Sequence, residues 1–265
     1  MKLEKLLEEK TMDTFGTVTS AQAKGSRDLQ EDRVVVLSDI KCVLIAVMDG
    51  HEGVLAAEVC AKNIPLLFNI DAVYQDPSAA LGILFYQLVE LTSHMGCGTT
   101  ISLVYITKDS VTVCRAGDSP VLLLPGDGKT IFSSSHNART NIVERNAALA
   151  RGGRFNGAYL INPKTGDGTQ LTRALGDWHL GDVILREPEF MITPINANAI
   201  VMVCTDGLMG SNPHAQDNQT FHAILLLQDG GTAPDLIDWA MHNQPDGLED
   251  NVSVVVWRPT HAEQI

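Results

Sequence analysis

The sequence predicts an α+β protein, an antiparallel α/β sandwich, and three features carry that expectation. Short β-branched or fully apolar runs recur along the chain, longer segments between them carry helical apolar spacing, and several runs are joined by turns too short for a crossover helix. The first pair of strands is Val34–Leu37 and Cys42–Met48, joined through Ser38–Lys41. A helix follows over Gly53–Phe68, with Leu55, Val59 and Leu66 on apolar faces, and another over Pro77–Thr92. Strands return at Thr99–Ile106, Val111–Cys114 and, after the Asp118–Pro120 turn, Val121–Leu124. Thr140–Arg151 reads as helix, Phe190–Thr193 and Ile200–Cys204 as strands, Asn218–Leu227 and Pro234–His242 as helices, and Val252–Trp257 as the last strand. No linker, repeat or charge block divides the sequence, so a single domain over residues 1–265 is expected, with 133–167 as an irregular, flap-like insertion whose NGAYLINPKTGDG portion is a loop signal.

Composition narrows the function. The chain has 265 residues, with 32 acidic against 19 basic side chains and a formal charge of −13, which repels phosphate backbones and anionic lipid. Nucleic-acid and membrane binding are therefore not expected. Apolar runs such as Val43–Met48 fall far short of the roughly 18 residues that cross a bilayer, and the charged start MKLEKLLEEK lacks the apolar segment of an export signal. The cysteines (42, 60, 97, 114 and 204) are odd in number and form no CxxC pair, so they read as reduced residues of an intracellular, cytoplasmic or nuclear protein.

The chemistry-bearing pattern is carboxylates at strand ends. With the first hairpin turning near Asp39–Ile40, facing residues have numbers summing to about 80, which places Glu31 and Asp32 where Asp49 leaves the second strand, at about 4.5–5.5 Å between facing Cα atoms. Asp206 follows the apolar run Ile200–Cys204, Asp250 precedes Val252–Trp257, and Asp118 follows Val111–Cys114. Packed like charges require protons or cations, and hard oxygen ligands select Mg²⁺, Mn²⁺ or Ca²⁺ over Zn²⁺. Glycines at 50, 117 and 207 allow backbone to approach a ligand, so the pattern resembles a bimetal hydrolytic centre. Any single Asp-Gly pair reads first as a turn, since Asx side chains satisfy local backbone, and Gly126–Gly128, Asp167–Gly168, Asp229–Gly230 and Asp246–Gly247 are so read; Asp49, Asp206 and Asp250 differ by lying directly against fully apolar strands. GDGKT at 126–130 is no phosphate loop, because Leu123 stands where glycine is needed, and His94 and Cys97 lack a second zinc-ligand pair.

In order along the chain, GSRDLQED (25–32), VMDGHEG (47–53), GCGTT (96–100), RAGDSP (115–120), LTRALGD (171–177), CTDGL (204–208) and EDNVSVVV (249–256) resemble the motifs of the metal-dependent serine/threonine protein phosphatases called type 2C, or PPM. The resemblance implies a four-layer α-β-β-α sandwich, two antiparallel sheets flanked by antiparallel helix pairs, with two Mn²⁺ or Mg²⁺ ions at one end. It implies that Asp49 bridges the metals, that the Gly50 carbonyl and Glu31 serve one and Asp206 and Asp250 the other, and that Asp32 supports the shell through a metal-bound water. Standing alone, Arg27 reads first as a surface ion pair and His51 as a satisfied turn histidine; the motif order reverses this, and Arg27 matches the phosphate-binding arginine and His51 the general acid. Departures are Pro120 after G-D-S, Ser135 before His136, and Gly210 four residues after Asp206, where the family often carries an aspartate; Asp118 is then at most a weak third-metal ligand or a water-positioning group. The stretch from His136 to Gly153 resembles the flap.

The resulting expectation is a phosphatase acting on phosphoserine and phosphothreonine in phosphoprotein substrates, monomeric by default. The rival is a catalytically inactive scaffold or regulatory subunit, motivated by Pro120, Ser135 and Gly210; a hydrolase of small phosphoesters is a third reading.

Overall fold

The computed structural model describes residues 5–12, 15–210, 216–243 and 249–260. Two antiparallel sheets face each other. The first runs in the order Lys5–Met12, Gly16–Ala23, Val252–Pro259, Ile200–Cys204, Val121–Leu124, Ile131–Phe132; the second in the order Glu189–Pro194, Ser110–Ala116, Ile101–Thr107, Cys42–Met48, Arg33–Asp39. The inner strands are apolar on both faces because both faces are covered. Val43, Ile45, Val47, Val201, Val203 and Val255 point between the sheets. Leu44, Ala46 and Met48 point the other way, against Cys60, Ile64, Leu84 and Leu88 of the helices Leu55–Leu67 and Pro77–Leu91. Met202, Cys204 and Val254 meet Leu227, Leu236 and Ile237 of the helices Gln216–Gln228 and Ala233–Asn243. The result is the expected helix-sheet-sheet-helix stack. Among the described residues no helix is long and apolar enough to cross a membrane, and the cysteines are free, with only Cys97 away from full burial.

The first hairpin departs from the expected register by one residue. Asp39 pairs Cys42 and Arg33 pairs Met48, so facing numbers sum to 81 across a two-residue Ile40–Lys41 turn. Continuing the ladder sets Asp32 beside Asp49 and Glu31 beside Gly50. A Cβ on Gly50 would lie 2.6 Å from the Glu31 carbonyl oxygen, so only glycine fits there. Thr99–Ile106 is not one strand. It breaks at Thr100 into Gly98–Thr99 and Ile101–Thr107, because Thr100 N–H donates to the Asp49 carbonyl at 2.9 Å instead of continuing a ladder. Gly16–Ala23, Lys5–Met12 and the short helix Ile70–Gln75 were not expected.

Beyond Ser133 the chain leaves the sandwich for the helix Ile142–Ala150 and a small sheet of Arg154–Phe155, Leu160–Ile161 and Gly168–Thr169, gathered over Ala138, Ala148, Leu160, Leu171, Ala174, Leu180, Val183 and Ile184. Gly168 therefore opens a strand, with Asp167 closing the hairpin loop before it through a 2.9 Å bond from Asn162 N–H. Asp229–Gly230 is a turn as expected, and Asp246–Gly247 lies outside the described residues.

Candidate active site

The chain crosses from the first sheet to the second through residues 24–32, which places Glu31 and Asp32 at the sheet junction. Asn251, just before the last strand, fixes this crossing. Its Oδ1 accepts from Glu31 N–H at 2.7 Å, and its Nδ2 donates to the carbonyls of Lys24 and Leu29 at 2.8 and 2.9 Å. Asp32 turns inward, where its Oδ2 accepts from Ser253 Oγ at 2.8 Å and Thr205 Oγ1 at 3.0 Å. Burial pushes its pKa up to about 7 despite those bonds, and its buried Oδ1 has no partner. At the other strand end Asp49 N–H donates to Thr100 Oγ1 at 3.0 Å, and its carbonyl accepts from Thr99 Oγ1 at 3.0 Å.

Asp49 and Asp206, from opposite sheets, are close enough to act on each other's charge. Burial, then the charges of Asp118 and Asp250, raises Asp206 to about 8. Burial, then Asp32 and Asp206, drives Asp49 well above the usual carboxylate range. Asp118 is raised by burial against the 2.7 Å bond its Oδ2 accepts from Asn137 Nδ2. Acids that suppress one another's ionisation in a buried site are matched by a hard divalent cation, and the donors here are all oxygen. The orphaned Asp32 Oδ1 fits the same reading, since a buried polar atom without a partner marks a place for water or an ion.

A cleft of about 270 Å³ opens over this cluster. Arg27, Glu31, Asp49, Gly50, His51, Asp118, Asp206 and Asp250 all line it, whereas Asp32 sits behind the wall. Glu31 Oε1 accepts from Gly53 N–H at 2.7 Å. Arg27 Nη2 donates to Asp250 Oδ2 at 2.8 Å, so the surface ion pair considered from sequence is formed, and formed with a predicted metal ligand. Among the described residues, one trio brings a ligand atom from each member within 4.8 Å of the others, and it is not the predicted set: Glu52, Asp177 and His179, of which Glu52 and Asp177 line the cleft.

The structure adds Asp177 to the expected residues. Gly50–His51 pairs with Gly98–Thr99, which pairs with Leu175–Gly176, and this small sheet carries His51 to Asp177. Their Nε2–Oδ2 distance is 2.6 Å. Burial favours neutral His51, but the bond and charge of Asp177 prevail and raise its pKa. Asp177 closes the LTRALGD motif, and its place in that motif was the available signal. Asn251 and Thr100 had none beyond their neighbours.

A family model described as Protein phosphatase 2C matches residues 16–211. A probable protein phosphatase 2C 27 of Oryza sativa subsp. japonica is 29% identical over 225 residues, covering 73% of this chain and 62% of that protein. A protein kinase and PP2C-like domain-containing protein of Arabidopsis thaliana is 27% identical over 208 residues, 69% of this chain and 31% of that protein. The chain thus spans about a third to three fifths of the length of these curated relatives. Among solved structures, a serine-threonine phosphatase 2C from Toxoplasma gondii matches with a TM-score of 0.77 at 16% identity, covering 97% of this chain and 99% of that one. A C. elegans sex determining protein matches at 0.68 and 24%, covering 91% and 64%. At these identities the structures establish the shared sandwich. The match to the family model runs from the first sheet's inner strand past Asp206, and through it the chain belongs to the protein phosphatase 2C family.

Proposed function

We propose that the chain is an active Mn²⁺- or Mg²⁺-dependent protein serine/threonine phosphatase with residues 1–265 as one catalytic domain. The observation that carries this reading is the convergence of buried, mutually raised carboxylates from both sheets beneath a cleft rimmed by Arg27 and His51. Glu31, Asp49 and the Gly50 carbonyl would hold one cation, and Asp49, Asp206 and Asp250 the other, with Asp32 behind them and Asp118 a weak further ligand. A bound pair of such ions supplies an activated water and neutralises charge at phosphorus. Arg27 uses one nitrogen on Asp250, and its remaining donors present a planar fork to phosphoryl oxygens. His51 gives a proton to the departing serine or threonine oxygen, a step commonly worth about 10² to 10⁴ in rate. The formal charge of −13 favours substrates with basic residues flanking the phosphate.

The test is phosphate release from a phosphothreonine peptide with and without Mn²⁺, for the wild type and Asp49→Asn. Cation-dependent release that the substitution abolishes is expected. No release by the wild type would favour the scaffold reading that Pro120, Ser135 and Gly210 motivate, and preference for small esters over the peptide would replace the protein substrate.

A further inference from the structure

We propose that Asp177 is the positioning residue for His51: its carboxylate takes the Nε2–H, fixes the ring, and leaves Nδ1 as the nitrogen presented to the leaving oxygen. The inference rests on the phosphatase reading of this cleft and deepens it. The bond is 2.6 Å between residues 126 positions apart. Asp177's side chain is 1% exposed while that of His51 is 27% exposed, so the carboxylate backs the imidazole from the protein side. A carboxylate so deeply buried is costly unless it accepts hydrogen bonds, and the imidazole supplies one.

The surrounding structure is specific to this arrangement. Asp177 has a left-handed backbone at φ 49°, a conformation Asp tolerates better than most residues. Its N–H donates to the Cys97 carbonyl at 3.2 Å. Arg186 then grips the loop, donating to the carbonyls of Gly176, Asp177 and Gly181 at 3.1, 2.8 and 3.0 Å, with its guanidinium 4.2 Å over the Trp178 ring. Gly98 completes the seat, since a Cβ there would stand 2.3 Å from Asp177 Oδ2 and 2.4 Å from His51 Nε2.

In the proposed step a water oxygen bonds to phosphorus and loses its proton to solvent, while the bond from phosphorus to the leaving oxygen breaks and the Nδ1 proton passes to that oxygen. The ring is left neutral with its remaining hydrogen on Nε2, still donated to Asp177, and solvent reprotonates Nδ1 before the next turnover. An amide in place of the carboxylate offers an N–H where Nε2–H needs an acceptor, which favours the opposite tautomer without changing the shape of the site.

Asp177→Asn in the full chain tests this. The turnover number on a phosphothreonine peptide should fall about 10²-fold, while that on an aryl phosphate, whose leaving group needs no proton, should stay within about threefold. The double variant with His51→Ala should be no slower than His51→Ala alone. Equal losses on both substrates, or additive losses, would assign Asp177 a merely structural role and overturn the proposal. Ring ¹⁵N shifts of His51 provide a readout independent of turnover. The neutral ring should carry hydrogen on Nε2 in the wild type and on Nδ1 in Asp177→Asn, and hydrogen on Nδ1 in the wild type would also overturn it. A wild type that turned over neither substrate would remove the phosphatase reading, and the ring shifts would still decide where the hydrogen sits.

Discussion

The space between the sheets and the region beyond Ser133 are held together by different forces. Between the sheets, Val43, Ile45, Val104, Val113, Val203 and Val255 are fully buried, with Trp257 almost so. Beyond Ser133 the buried cluster is smaller, three alanines with Leu160, Leu171, Leu180, Val183 and Ile184, and polar bonds add to its fastening. Glu144 Oε1 holds Arg173 Nη2 at 2.6 Å while its Oε2 accepts from Thr172 Oγ1 at 3.0 Å, and Arg151 donates to the Asp182 and Val183 carbonyls at 2.9 and 3.0 Å. Apolar packing makes one cooperative unit, whereas directional polar bonds can open locally. The scaffold that carries the carboxylates and the cover that carries Asp177 therefore have separable stabilities.

The largest effect should come from cutting the scaffold. Ile45→Ala is expected to cost about 2–5 kcal/mol in urea unfolding, with hydrogen-exchange protection lost throughout the molecule. Glu144→Ala should cost about 1.5–3 kcal/mol, with protection lost over residues 138–185 and retained in the sheets; a uniform loss would mean that the two regions are one unit. Gly98→Ala forces a methyl against Asp177 and His51, and should cost about 1–3 kcal/mol while lowering turnover on phosphopeptides.

Acidity divides the regions by sign. Asp32 and Asp206 have folded values raised to about 7 and 8, so the stability their protonated forms contribute is complete below about pH 4 and is lost as pH rises through 7 to 8. The cation-free protein should melt lower at pH 8 than at pH 5, and Mn²⁺ should raise the melting temperature more at pH 8. His136 behaves oppositely. Its Nδ1 accepts from Gly117 N–H at 3.1 Å, its Nε2 lies 3.0 Å from Glu189, and burial followed by Arg115 and Arg173 lowers it to about 4. Glu189 alone would raise it, but a lone pair committed to Gly117 leaves no place for the second proton. Its contribution is present above pH 6.5 and lost toward pH 4, so exchange around residues 134–138 should quicken in that window while the sheets stay closed. The smallest effect belongs to Arg27→Ala: its pair with Asp250 is half exposed and should contribute less than about 1 kcal/mol to unfolding.

The same division decided what was legible in the sequence. Cys42–Met48 and Ile200–Cys204 announce themselves because burial on both faces demands unbroken apolar runs. Gly16–Ala23 was missed because its buried apolar residues are few, Val18 toward the other sheet and the small Ala21 and Ala23 toward the helices, set among Thr, Ser and Gln. The hairpin register slipped by one because a two-residue turn and a looser one leave the same sequence signature. Strand-end position was enough to gather Asp49, Asp206 and Asp250, and motif order drew Arg27 and His51 to the same cleft. The Asp177 contact was not legible, because it depends on a left-handed turn and a small sheet joining distant segments.

Asn251 carries a consequence for biosynthesis. It secures Glu31 from 220 positions away, so a nascent polypeptide cannot fix this corner of the site until Asn251 itself has left the ribosome. Such long-range closure slows folding and leaves earlier segments waiting with unpaired strand edges, where chaperones would be needed most. Translation stopped short of Asn251 should yield chains in which Glu31 is unsecured and residues 24–32 are open to protease.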